Sequence, residues 1–171
     1  MRDKDMNLRF DFIGVINDEN MLALRNFIES QNEQITSLVI NISSLGGSVT
    51  SGVTMYNYIK QQNFTVITHN LGEVSSAAIL LYLAGSIRTA SSISKFMFHP
   101  IKIGFGGDLP YYQVEEILKN IDADINNYAK IVNIETQSLN GIYDVDKYLR
   151  TDSLTLTPED AHKCGIITKL L

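Results

Sequence analysis

At 171 residues, with 44% hydrophobic and 19% charged residues, the chain has the size and composition of an ordinary globular domain able to bury its own core. Its net charge of −5 comes without the clustered Lys and Arg of a nucleic-acid surface, and its longest apolar run, Ala77 to Ala84, is far too short to span a bilayer. The one cysteine, Cys164, cannot form an intrachain disulfide and has no Cys or His neighbours at zinc-site spacing, so it reads as a buried, inert thiol near a helix end.

Met1 to Phe10 mixes charged and apolar residues and lacks the apolar stretch of a signal peptide, so a reducing, cytoplasmic compartment is expected. No repeat, low-complexity tract or long linker interrupts the chain, and one domain over 1–171 is expected. Leu8, Phe10 and Phe12 alternate with Arg9 and Asp11, the pattern of a half-buried strand. Asn17 and Asp18 can cap a helix in which Leu24, Phe27 and Ile28 share a face. Leu38 to Ile42 is a short apolar run suited to an inner parallel strand.

The unit then repeats. A turn at Ser43 to Gly47 leads to a helix with Val49, Val53, Tyr56 and Ile59 or Lys60 along one side. Phe64 to Thr68 is a second buried strand, Asn70 to Ser75 a turn, and Ser76 to Ala84 a helix. Ile87 to Ala90 and Lys95 to Phe98 read as a further strand pair, and strands alternating with helices predict an α/β fold with parallel pairing. Beyond a Gly-rich segment, Ile103 to Asp108, the residues Val114, Ile117, Leu118, Ile121, Ile125, Tyr128 and Val132 keep a 3.6-residue period, with Gly141 as the stop. So long a helix either projects onto another subunit or lies across one face. Thr157 before Pro158 and Glu159 opens a last helix, which Gly165 ends.

Three places join a strand end to a turn, where parallel sheets bind ligands. In Ser43-Ser44-Leu45-Gly46-Gly47-Ser48, paired glycines can present bare N–H groups to an oxyanion; no Gly-Lys-Ser/Thr makes it a phosphate loop. In Gly72-Glu73-Val74-Ser75-Ser76-Ala77-Ala78, a serine at a strand-to-helix turn exposes its hydroxyl beside a free amide, although the Gly-x-Ser-x-Gly elbow is absent. A plain helix cap by Ser75 or Ser76 explains the same residues. The third place is Phe96-Met97-Phe98-His99-Pro100, a histidine at a strand end, where a structural histidine is the ordinary case. His69 and His162 rank below it.

Taken together, these segments and the C-terminal one resemble the Clp protease proteolytic-subunit (ClpP) family, from about Leu8 to Leu170. Ser44-Leu45-Gly46-Gly47 matches its Ser-Pro-Gly-Gly turn, and Gly72 through Ser76 with Ala77-Ala78 matches its Gly-x-x-x-Ser-Met-Gly, the following Ala84-Gly85 setting the register on Ser76. Ser94-Lys95-Phe96-Met97-Phe98-His99 matches the histidine strand, and Thr157-Pro158-Glu159-Asp160-Ala161 with Gly165-Ile166-Ile167 the terminal helix and strand.

The resemblance implies a ClpP/crotonase-like core of repeated β-β-α and βαβ units with a long projecting handle helix. It implies a serine endopeptidase in which Ser76 is the nucleophile, His99 the general base and Asp152 the orienting acid, with Gly47 and Ala77 N–H groups forming the oxyanion hole. No metal or cofactor is implied. The substrates are peptides or unfolded protein, and the assembly is a heptameric ring or double ring joined through the Tyr112 to Leu139 helix, with a Gly104 to Gly107 strand beside it.

The departures are specific. Leu45 replaces the turn proline, Ala77 and Ala78 replace Met-Gly, and the stretch from Ser76 to His99 is two residues shorter than usual. Asp152 stands one residue further from the terminal helix than the family pattern, which leaves Asp144 and Asp146 as alternative acids. Seven residues precede Leu8, which argues against docking to a ring ATPase and for a divergent or phage-type member. Two other readings use the same core: a crotonase-type acyl-CoA enzyme, for which Glu73 is the one carboxylate beside the serine turn, and a catalytically inactive ring subunit.

Overall fold

Strand-then-helix units build the core of the computed structural model, which describes residues 6–31, 34–104, 106–136 and 142–170. Strands β1 (Met6–Ile13), β2 (Ile35–Ser44) and β3 (Thr65–Ser75) pair side by side in parallel. The free edge of β3 takes two partners in succession, β4 (Ile87–Ala90) along Ile67 to Asn70 and then β5 (Lys95–Phe98) along Glu73 to Ser75. Strand β6 (Leu154–Leu156) closes the order antiparallel to β5.

Asn70 heals the change of partner. Its side chain donates to the Lys95 carbonyl at 2.9 Å and accepts from Gly72 N–H at 3.0 Å, so the backbone polar groups freed between β4 and β5 find bonds. That repair corrects one expectation. Asn70 to Ser75 is not a turn but the second half of β3, because pairing with β5 outweighs the turn preference of Asn70 and Gly72.

Helix α1 (Asp18–Glu29) starts at Asn17, whose side chain accepts from Asn20 N–H, and buries Leu24 and Ile28. Helix α2 (Val49–Lys60) starts at Ser48, which accepts from Ser51 N–H, and buries Met55, Tyr56 and Ile59 while Lys60 turns outward. Helix α3 (Ala78–Leu83) is buried on every side, so no polar face interrupts its apolar run. It begins two residues later than the expected Ser76, which stays outside the helix.

Helix α4 (Tyr111–Thr136) divides by burial. Its C-terminal half packs Ile125, Tyr128, Ile131 and Val132 into the core, whereas Tyr111 (77% exposed), Tyr112 (63%) and Leu118 (55%) leave the other half uncovered. It therefore both projects and lies across the body. The expected helix end at Leu139 and stop at Gly141 fall outside the described residues. No strand forms within the single chain among the described residues of the Gly104 to Gly107 segment.

The chain ends with α5 (Val145–Arg150), β6, and α6 (Pro158–Lys163), which Thr157 caps and Gly165 follows at φ +82°. Cys164 is buried there, its thiol pushed up by burial. The expected terminal strand does not form after Gly165; Ile166 and Ile167 enter the core, and Thr168 and Lys169 N–H bond the Arg88 carbonyl instead. The buried Arg88 side chain binds the Gly165 and Ile166 carbonyls at 3.0 and 2.7 Å and pairs with Glu135 at the end of α4. These bonds tie the C-terminal segment to the sheet.

Candidate active site

The carboxyl ends of β3 and β5 and the amino end of antiparallel β6 meet at one edge of the core, and the three expected catalytic positions lie just beyond them. Ser76 follows β3 directly and extends its pairing by one bond, its N–H donating to the Met97 carbonyl at 2.8 Å. Its φ of +52° is in the left-handed region, where the backbone turns sharply before α3. An L-residue there costs roughly 1–2 kcal/mol, so the surroundings must hold it. The Ser76 carbonyl accepts two bonds, from Ile79 N–H at 2.9 Å and from the Tyr128 hydroxyl at 2.8 Å.

Ser75 is set apart from its neighbour by its own contacts. It has no exposed surface, and its hydroxyl donates to Glu73 at 2.7 Å. Glu73 also meets Lys95 at 3.0 Å. Burial raises the Glu73 carboxyl, but the Ser75 hydroxyl and Lys95 outweigh it and leave the group below the usual range. Both Ser75 and Glu73 are thus engaged, while the half-buried Ser76 hydroxyl has no hydrogen-bond partner among the described residues.

The Gly46–Gly47 turn leans on this elbow. Gly46 has φ +99°, and a Cβ there would lie 2.6 Å from Ser76 Cβ and 3.1 Å from Ala77 N, so glycine alone fits. Ile16 locks the turn on its other side: its N–H donates to the Gly46 carbonyl and its carbonyl accepts from Ser48 N–H, each at 2.9 Å. Neither bond uses the Gly47 N–H. Among the described residues, the Gly47 and Ala77 amides carry no hydrogen bond, and they stand on facing turns at the N-termini of α2 and α3. A shallow apolar depression of about 330 Å³, walled by Ile13, Val15, Leu45 and Glu73, flanks the turn.

His99 is half-buried one residue past β5, with Nδ1 2.9 Å from the Pro100 carbonyl. A carbonyl only accepts, so Nδ1 carries the hydrogen; in the neutral ring this leaves the lone pair on Nε2, the tautomer a general base requires. No hydrogen bond joins His99 to Ser76 among the described residues. Asp152 approaches the same edge, since β5 and β6 pair Phe98 with Leu154 and one further step sets His99 against Ser153. Its carboxylate is nevertheless engaged elsewhere, 3.1 Å from Lys147 Nζ and 2.8 Å from Ser153 N–H, with 53% of the side chain exposed. The Ser153 amide and Lys147 hold it below the usual carboxylate range.

The alternative acids are occupied as well: Asp144 caps α5 and Asp146 pairs with Arg150 at 2.8 Å. His69 lies mid-strand, its ring nitrogens 2.8 Å from Thr89 Oγ1 and 3.2 Å from Ser91 Oγ, and burial, with Arg9 nearby, lowers its pKa. His162 is exposed on α6.

Two contacts at the site have no counterpart in the motifs. The Pro100 carbonyl on His99 is a backbone contact with no side-chain signature. Tyr128, thirteen residues past Glu115 on α4, appeared only as one member of the helical period.

A left-handed strand-to-helix serine, a Gly-Gly turn pressed against it and a histidine at the next strand's end thus lie at one edge of an α/β core. The family model described as Clp protease matches residues 17–171, and the chain belongs to the Clp protease family. The family points to a ClpP-like peptidase, and the α/β core with its single long helix is that fold. Among the described residues, no helix is long and apolar enough to cross a membrane.

Proposed function

We propose that the protein is a serine endopeptidase that hydrolyses peptides or unfolded protein through an acyl-enzyme. The supporting observation is the Ser76 elbow, left-handed and with its hydroxyl unpartnered among the described residues, packed against the Gly46–Gly47 turn, where the Gly47 and Ala77 amides carry no hydrogen bond among those residues. Ser76 Oγ attacks the scissile carbonyl while its proton passes to His99 Nε2, and Gly47 and Ala77 N–H groups receive the oxyanion. The amine leaves with that proton, and water repeats the sequence to release the acid. At rest the Pro100 carbonyl sets the His99 tautomer; Asp152, once released by Lys147, stabilises the imidazolium.

The family's ring architecture gives the uncovered half of α4 a role. Tyr111, Tyr112 and Leu118 offer an apolar strip for a second copy of the chain, and a ring so joined encloses the sites. The cytoplasm is the compartment in which such a ring, with its lone buried thiol, is placed.

A fluorophosphonate probe tests the chemistry. Labelling lost in Ser76→Ala but kept in Ser75→Ala is expected, with turnover falling on the order of 10⁶-fold in the former. Labelling that persists in Ser76→Ala rejects the nucleophile. The engagement of Asp152 by Lys147 favours one second reading, an inactive ring subunit; ring assembly by sedimentation without any labelling of the unaltered chain establishes it.

A further inference from the structure

We infer that Tyr128 is a positioning residue for the oxyanion hole, its hydroxyl holding the carbonyl of the same peptide unit whose N–H belongs to Ala77. The inference rests on the peptidase reading above. Ser76 C=O and Ala77 N–H lie in one planar trans peptide group and point in opposite directions. A bond that fixes the oxygen therefore fixes the direction of the donor. The Tyr128 O–H reaches that oxygen at 2.8 Å from 52 residues away in the chain. The other bond to it, from Ile79 N–H, belongs to the same turn and moves with it. Tyr128 is thus the anchor from outside the elbow.

Three features suit it to this task. Ser76 sits at φ +52°, and a peptide unit that follows a disfavoured conformation needs an external hold. A hydrogen bond accepted by the carbonyl also polarises the peptide group, so the N–H across it becomes a stronger donor. Finally, the Tyr128 ring is itself immobilised. It is fully buried and meets the Phe98 ring edge-on at 6.2 Å, so one side chain from α4 spans the residue before His99 and the carbonyl of Ser76. Burial pushes the phenol well above its ordinary value, which keeps it protonated and donating throughout the working range of a histidine base.

Tyr128→Phe removes the hydroxyl and keeps the ring. The control is Tyr82→Phe, which removes an equally buried hydroxyl bonded to the Thr89 carbonyl at 2.9 Å, away from the elbow. In the full-length chain, Tyr128→Phe is expected to lower kcat for a fluorogenic peptide about 10-fold with KM unchanged, a fraction of the loss for deleting an oxyanion donor. The Ki of a peptide boronate, whose tetrahedral adduct uses the same hole, rises by the same factor. Tyr82→Phe shifts the melting temperature comparably but leaves kcat and Ki alone.

The carbonyl ¹³C shift of Ser76, read by NMR, moves in Tyr128→Phe whether or not the enzyme turns over. An unchanged shift overturns the bond. A moved shift with unchanged kcat, or with equal kcat losses in both variants, overturns the positioning role. An unaltered chain that fails to label at Ser76 overturns the peptidase reading, and this inference with it, even where the carbonyl shift moves.

Discussion

Gly46 lies against Ser76 so closely that a methyl group in place of its hydrogen would stand 2.6 Å from the Ser76 Cβ. The contact joins two segments 30 residues apart into one unit, because neither the Gly-Gly turn nor the serine elbow can shift without the other. Ile16 braces the turn from behind and Tyr128 braces the elbow, so the Gly47 and Ala77 amides, unpaired among the described residues, are held from both sides.

Gly46→Ala should therefore damage stability and chemistry together. The φ of +99° and the clash predict a loss of roughly 1–3 kcal/mol in urea unfolding. The rate of fluorophosphonate labelling at Ser76 should drop on the order of 10²-fold, comparable to loss of one oxyanion donor. Gly104→Ala, where an added Cβ meets nothing within 4 Å, should change stability by less than about 0.5 kcal/mol.

Lys147 and His99 compete for Asp152 in the proposed mechanism. Lys147→Ala releases the carboxylate and is expected to raise kcat, since the 3.1 Å ion pair is exposed and its loss costs little stability. Asp152→Asn is expected to lower kcat by roughly 10²- to 10⁴-fold. Steady-state peptide hydrolysis reads both, and an Asp152→Asn variant with full kcat would leave the Pro100 carbonyl as the sole orienter of His99.

The Ser75–Glu73–Lys95 cluster carries a pH signature. The Glu73 carboxyl titrates below its ordinary value of 4.5 in the folded chain. A depressed carboxyl adds stability above its unfolded pKa, and that stability is lost as pH falls through the folded value. Glu73→Gln should thus lower the melting temperature at neutral pH and flatten the decline below about pH 4.5. Thermal melts across that range check it; a parallel offset at every pH would contradict it.

Arg88 anchors the C-terminal segment by bonds to Gly165, Ile166 and Glu135. Arg88→Ala takes one cation from the largely buried Glu135 carboxylate, which keeps Tyr56 and Lys60, and removes the donor to the Gly165 and Ile166 carbonyls. A loss of about 3–5 kcal/mol is expected on denaturant unfolding. Lys60→Ala, at the exposed rim of the same network, should cost about 1 kcal/mol or less.

Local chemistry made much of this fold readable. The caps at Asn17 and Thr157 sit where their side chains announce them, and β4 and β5 occupy the spans read as strands. The second half of β3 was not readable, because Asn70 and Gly72 are turn residues until the Asn70 side chain bonds both the Lys95 carbonyl of β5 and the Gly72 N–H. At Gly104, Gly106 and Gly107 no strand forms within the single chain, whereas the expectation placed that strand beside the helix that joins the rings.

By itself the sequence determined the order of elements and the residues offered for chemistry: Gly46-Gly47, Ser76, His99 and Asp152. The elements follow from periodicity and from side chains that act within a few residues of themselves, whereas the site residues were singled out by the resemblance to the ClpP family. Tertiary structure alone decided which of two adjacent serines is free, since Ser75 is silenced by Glu73 and Lys95, a residue 20 positions further on. It also decided that Asp152 rests on Lys147, that His99 takes its tautomer from Pro100, and that a tyrosine on α4 grips the Ser76 carbonyl. Hydrogen bonds and ion pairs depend on distance and direction in space, and chain position constrains neither once the sheet has brought remote segments together.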